Sequence, residues 1–263
     1  MIQAQDLPIL AVGAHPDDVE MMCSGTLSLL RDAGCKIHIA TMTLGDCGSS
    51  EHPPDEISRI RREEAEAAAE MLDAEYHWGG FQDFCIFNDD SANRALTGLF
   101  REVEPRIVLT HPPEDYISDH EATSRLVRNA CFYAPVPNYH DGGRALAEVP
   151  WLFYAAPLEG IDIFGNPVDC HFWIDVGDRI DFKKRMLACH QSQRDWLKKH
   201  HGMDEYLDSM VRWARLQGEG ASSGGDTEVT HAEGFLQHRG HAYPRDNVLS
   251  QLLTGRVVER DAR

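Results

Sequence analysis

A five-residue apolar run, Ile9-Leu10-Ala11-Val12-Gly13, breaks off directly into Ala14-His15-Pro16-Asp17-Asp18, and few folds accommodate that junction. A run without polar alternation suits a strand covered on both faces, which in a soluble chain means helices above and below a parallel sheet. The sequence continues accordingly. Residues 18–33 place apolar side chains at helical spacing, and Gly34 stands where a helix stop is expected. Residues 36–43 are β-branched at Ile37, Ile39, Thr41 and Thr43, a second strand that a helical crossover would set parallel to the first.

The alternation persists along the chain. A Gly, Ser and Pro-rich loop at 44–55 precedes a helix at 57–72, a strand at 75–78, a helix at 93–103 and a strand at 106–110. Asp119 is placed to cap a helix at 119–131; strands follow at 151–155 and 171–176, then helices at 180–201 and 203–217 and a flexible loop at 218–226. The expected fold class is α/β, a Rossmann-like, doubly wound, mostly parallel sheet with helices on both faces. Residues 1–263 read as one domain, with 1–131 the Rossmann-like half that carries the site and 132–263 adding strands, helices and substrate-shaping loops.

Lys and Arg total 25 against 43 Asp and Glu, a formal net charge of -18 that would repel a phosphate backbone or an anionic membrane. Nucleic acid is therefore excluded as a partner. The first residues lack the basic and apolar regions of a signal peptide, and no run approaches the roughly 18 apolar residues of a membrane span, so a cytoplasmic protein is expected. Seven Cys without a CxxC pair read as reduced thiols, mostly buried. Fourteen His beside an acidic excess favour a metal site.

In an open α/β sheet, ligands bind beyond the carboxyl ends of the strands, where Ala14-His15-Pro16-Asp17-Asp18 stands. His15 and Asp18, three positions apart across a tight turn, can converge on one cation, and Asp17 can sit beside a water and take its proton. A plainer account is a helix start with an early Pro and dipole-favoured acids. A second cluster, residues 110–120 (THPPEDYISDH), lies just beyond another apolar strand and also leads into a helix. His15, Asp18 and one His from this segment would make the N/N/O set of a catalytic zinc with an open position. His120 is favoured, at a helix start where Asp119 can cap or accept its hydrogen bond; His111 competes, with an ordinary loop position as its alternative. A dinucleotide site is disfavoured, because the turn lacks G-x-G-x-x-G and two acids there would repel a pyrophosphate.

Ala-His-Pro-Asp-Asp after the first strand, with Asp-His at the head of a helix a hundred residues on, resembles the PIG-L/LmbE-like de-N-acetylase family, which includes the N-acetylglucosaminyl-phosphatidylinositol, mycothiol and bacillithiol pathway deacetylases. The resemblance also takes in Gly45, Arg61-x-x-Glu64 with Ala68 and Leu72, and Cys189-His190-Gln191-Ser192-Gln193. It implies Zn²⁺ held by His15, Asp18 and His120, Asp17 as general base, and hydrolysis of an N-acetyl amide, usually on a glucosamine unit. A small-molecule amino-sugar substrate and association into a homo-oligomer are expected with it.

Ile117 departs from the family pattern, which commonly has a His there to stabilise the oxyanion or protonate the leaving amine. Tyr116, His111, His140 or His190 would then have to substitute, or the substrate be another amide; a metal-binding protein without activity is the remaining alternative. Substrate contacts are expected among Arg61, His111, Asp115, Tyr116 and His190. Arg59 and Arg62 are open to the same role or to surface i,i+4 pairs, Glu63 and Glu64 read as a solvated face, and Trp78-Gly79-Gly80-Phe81 as a turn with buried aromatics or a stacking surface for a sugar.

Overall fold

The structure is a computed structural model that describes residues 2–139, 143–201, 206–223 and 228–260. β1 (Pro8–Gly13), α1 (Asp18–Asp32), β2 (Lys36–Thr41), α2 (Pro54–Glu70), β3 (Glu75–Trp78), α3 (Asp90–Val103), β4 (Ile107–Thr110), α4 (Ser118–Tyr133) and β5 (Trp151–Ala155) alternate as the sequence leads one to expect. β6 (Phe172–Asp175), α5 (Ile180–Leu187), α6 (Gln191–His201), α7 (Tyr206–Ser222), β7 (Ala232–Gln237), α8 (Val248–Leu252) and β8 (Val257–Glu259) complete the chain. The eight strands form one sheet in the order β3-β2-β1-β4-β5-β7-β6-β8.

β1 sits inside this sheet, parallel to β2 on one side and β4 on the other. Its residues alternate between two cores: Ile9 and Ala11 face the α1, α2 and α5 side, while Leu10 and Val12 face α3 and α4. Both faces are covered, which is why the run carries no polar residue. The parallel half ends at β5; β7 runs antiparallel to β5 and β6, and β8 antiparallel to β6. No described helix is long and apolar enough to cross a membrane. All seven Cys are free thiols; Cys23, Cys35, Cys131 and Cys170 are buried, and Cys47 and Cys85 are exposed.

The second half departs from the expected elements at a helix break, at the end of α7 and in its last three elements. The helix expected over 180–201 is interrupted between Leu187 and Gln191, where His190 turns fully inward beside Glu20. Glu64 restarts it: the Ser192 N–H and hydroxyl both donate to its carboxylate, at 2.8 and 2.6 Å, so Glu64 caps a neighbouring helix rather than lying on a solvated face. α7 runs on to Ser222, through glycines read as the start of a loop. Gly218 lets α7 close onto the chain before β7, since a Cβ there would stand 2.7 Å from the Val229 and Thr230 carbonyls. The expected helix start at 203 and residues 224–226 of the expected loop lie outside the described residues. β7, α8 and β8 carried no clear periodicity, being short and anchored by pairing partners distant in sequence.

Candidate active site

The carboxyl ends of β1 and β4, neighbours in the sheet, bring the two clusters together. His15, Asp18 and His120 each present a ligand atom within 4.8 Å of the others. His120 points Nε2 at Asp18 Oδ1, 3.4 Å away, and its Nδ1 lies 3.0 Å from Asp115 Oδ2. His15 repeats the arrangement with Nδ1 3.5 Å from Asp18 Oδ2 and Nε2 3.1 Å from Asp119 Oδ2. A carboxylate only accepts, so the outer nitrogens, His15 Nε2 and His120 Nδ1, donate their hydrogens to Asp119 and Asp115. The inner nitrogens are left converging on Asp18.

Asp119 is thus not a cap. Ile117 occupies the N-cap position of α4 without a side-chain bond, and Asp119, almost fully buried, accepts from His15 and from the Phe84 N–H at 2.8 Å. Spending the carboxylate on an imidazole from another strand end is a tertiary choice that no local pattern announces. Nor is His111 an ordinary loop residue. It is buried, receives the Ala14 N–H on Nε2 at 3.0 Å, lies 3.1 Å from Asp18 Oδ2 and stacks on His120 at 3.8 Å between ring centroids. It packs His120 and the β1 turn into place.

The charges follow from this enclosure. Burial pushes the Asp18 carboxyl up, but His120 and His111 outweigh it and hold Asp18 well below the usual range. Burial works against the charged form of His15 too, yet the carboxylates of Asp119 and Asp18 prevail and raise it to about 10. Against the same opposition, Asp18 and Asp115 raise His120 to about 9. Asp115 is lowered to about 2, its two imidazole neighbours overcoming burial.

Asp17 points elsewhere. Its backbone is left-handed, φ 97°, and its Oδ2 accepts the Tyr206 hydroxyl at 2.5 Å, with Arg61 Nη2 3.9 Å away. Burial raises its pKa against the pull of Arg61. Arg61 is enclosed rather than open to a substrate: it donates to the Pro16 carbonyl at 3.1 Å, and a Cβ on Gly45, itself at φ 70°, would strike the guanidinium. Arg59 and Arg62 make the surface pairs with Glu63 and Glu66. His190, also fully buried, lies 3.2 Å from Glu20 and touches no solvent. Both residues can act only through others, which corrects the expectation that they contact substrate.

Of the expected contacts, Tyr116 alone is exposed. Its ring meets His120 edge-on at 5.2 Å, and partial desolvation, followed by the charge of Asp18, pushes its hydroxyl up, so its O–H remains a donor. With Asp115 it lines a cavity of about 580 Å³, whose walls include Leu158, Ile161, Ile163 and Trp213. A second cavity, about 710 Å³, lies behind Trp78, Phe81, Asp46 and Arg59 and contains none of the clustered imidazoles. Trp78 is half exposed there, not buried as the turn reading had it. His140 lies outside the described residues.

Buried and oriented by a carboxylate on its far side, His120 Nε2 has no hydrogen-bond partner. That is the state of a nitrogen aimed at a cation, and two imidazoles with one carboxylate form an N/N/O donor set. Residues 10–131 match the family model for PIG-L, GlcNAc-PI de-N-acetylase. The chain carries a PIG-L family domain. The 4-oxalmesaconate hydratase of Pseudomonas putida is 29% identical over 149 residues, 54% of this chain and 58% of that protein, so the chain spans little more than half of that relative. A probable N-acetyl-alpha-D-glucosaminyl L-malate deacetylase of Bacillus cereus is 26% identical over 221 residues, 80% of this chain and 94% of that one. The solved N,N'-diacetylchitobiose deacetylase of Pyrococcus horikoshii shares the fold at a TM-score of 0.74, with 22% identity over 91% of this chain and 88% of that one.

Two contributors to this cluster escaped sequence reasoning. Tyr206 reaches Asp17 from α7, beyond the span of the family match, and nothing in its local sequence marks it. Asp83, 4.0 Å from His15 through Oδ1, is fixed by the Thr43 hydroxyl and the Cys47 N–H. Its position after the third strand end, as with His15 and His111 after theirs, was the one available signal.

Proposed function

We propose that the protein is a metal-dependent hydrolase that removes the N-acetyl group from an N-acetylglucosamine-type substrate. The observation that carries this reading is the convergence of His15, Asp18 and His120 beside an aspartate, Asp17, that stays outside the donor set. The three residues would hold Zn²⁺, which in such a site polarises an amide carbonyl and acidifies a water. Asp17 accepts the proton of the attacking water and returns it to the departing amine. Tyr206 fixes one carboxylate oxygen of Asp17 and leaves the other to take the proton. Asp119 and Asp115 hold the two imidazoles in the tautomers that turn their inner nitrogens to the cation. Tyr116, the exposed donor beside His120, occupies the role left vacant by Ile117 and faces the developing oxyanion.

Acetate release from N-acetylglucosamine, its malate and inositol conjugates and chitooligosaccharides tests the reading, with the zinc-loaded protein against its Asp17→Asn variant. No acetate from any of them would end it. A second reading, addition of water to an unsaturated carboxylic acid, is supported by the likeness to the Pseudomonas putida hydratase and by Ile117. Loss of the ultraviolet absorbance of such an acid without any acetate release would favour it.

A further inference from the structure

At the β3 edge of the sheet, outside this site, β2 and β3 carry a second group of metal-ligating side chains. In the parallel register His38 pairs with Glu75 and Ala40 with His77, so His38, Glu75 and His77 share one face. His38 Nδ1 stands 3.0 Å from His77 Nε2 and 3.7 Å from Glu75 Oε2, and one ligand atom from each residue lies within 4.8 Å of the others. We propose that these three residues form a separate binding site for a divalent transition-metal ion of the zinc type.

The spacing is that of a coordination sphere. With bonds of about 2.0–2.1 Å, tetrahedral donors stand about 3.3 Å apart, between the two distances found here. His38 is nearly fully buried and its Nε2 has no hydrogen-bond partner, so its polar contacts are all made through Nδ1, which faces His77 and Glu75. Its ring is fixed with Nδ1 toward the group, stacked on His77 at 5.3 Å. One of the two facing nitrogens donates to the other, and a bound ion would take the place of that shared hydrogen.

Lys36 Nζ lies 3.6 Å from Glu75 Oε2 and is the one cation that competes for that carboxylate among the residues named here; both side chains are more than half exposed and can part. His77 borders a cavity of about 610 Å³ between β3 and α3, lined also by Arg94 and Glu102, from which water can complete the coordination. Bound there, the ion would tie the four-residue edge strand to its neighbour through side chains as well as backbone.

Metal-free protein loaded with Zn²⁺, desalted and weighed by native mass spectrometry provides the test. Wild type should hold two equivalents, a Glu75→Gln/His77→Ala variant one, and His120→Ala should keep the edge equivalent. Glu75 is exposed and His77 partly so, and a circular dichroism spectrum matching wild type certifies the fold. In a titration against a chelating dye, His77→Ala should weaken the edge equivalent by more than about 100-fold, since even groups outside the coordination shell are worth 10–100-fold. Equal zinc content in wild type and the double variant, or a change under tenfold for His77→Ala, overturns the proposal, whatever becomes of the site at His120.

Discussion

Replacing Asp17 with Asn separates the proposed base from everything around it. The side chain is 13% exposed, receives the Tyr206 hydroxyl at 2.5 Å and faces Arg61 at 3.9 Å, so an isosteric amide can occupy the same place. Asn also tolerates the left-handed backbone, φ 97°, better than most residues. The cost to stability should be small. A hydrogen bond to a charged acceptor, about 1.5–3 kcal/mol, becomes a neutral one of about 0.5–1.5 kcal/mol, while the desolvation of a buried charge is relieved. We expect a net change within about 1 kcal/mol. The chemical cost should be much larger, because an amide takes no proton: loss of a general base lowers turnover about 10²–10⁴-fold, or about 2.7–5.4 kcal/mol of barrier. The assay is kcat on the best acetylated substrate, with zinc content and melting temperature measured on the same preparation. Turnover within tenfold of wild type, at full zinc occupancy, would show that Asp17 is not the base. Asp17→Ala provides a contrast, since it strands the buried Tyr206 hydroxyl and should cost about 1–3 kcal/mol of stability.

Four other substitutions probe separate parts of the reasoning. His120→Ala should abolish stable zinc binding at the proposed site, whereas Asp115→Asn, which loosens the outer nitrogen of His120 and the contact with His111, should weaken it about 10–100-fold by dye competition; equal effects would mean Asp115 does more than orient. Lys183→Met leaves the buried Glu233 carboxylate without its cation, held by the Gly25 and Thr26 N–H groups alone, and removes the donation to the Glu20 carbonyl at 3.2 Å; it should destabilise the protein by about 3–5 kcal/mol in urea unfolding, and a loss under 1 kcal/mol would show that the pair is dispensable. Ile117→His should raise deacetylation of simple N-acetylglucosamine substrates if that position faces the oxyanion, and an unchanged rate with unchanged metal coordination would leave Tyr116 as the donor.

Much of this molecule was legible locally because its first half obeys local rules. The uniform apolar content of β1 requires two covered faces, the helical spacing of α1 and α2 supplies the covers, and the strand-to-helix junctions put His15, Asp18 and His120 where an open α/β sheet opens a crevice. Chain order then sufficed to bring residues a hundred positions apart to one point, because a crossover of fixed hand makes β1 and β4 neighbours. The sequence did not reveal how each polar group would be used. Asp119 could cap its own helix or hold His15, and the choice depends on which imidazole the next strand end delivers within 3.1 Å. Arg61 and His190 look like surface polar residues in one dimension and prove to be buried beneath Asp17 and Glu20. Tyr206 reaches Asp17 only because α7 folds back over the sheet, and Gly218 belongs to a helix because a neighbouring carbonyl leaves no space for a Cβ. Each depends on distances between segments remote in sequence, and periodicity, which reports only on the nearest turns of chain, carries no record of them.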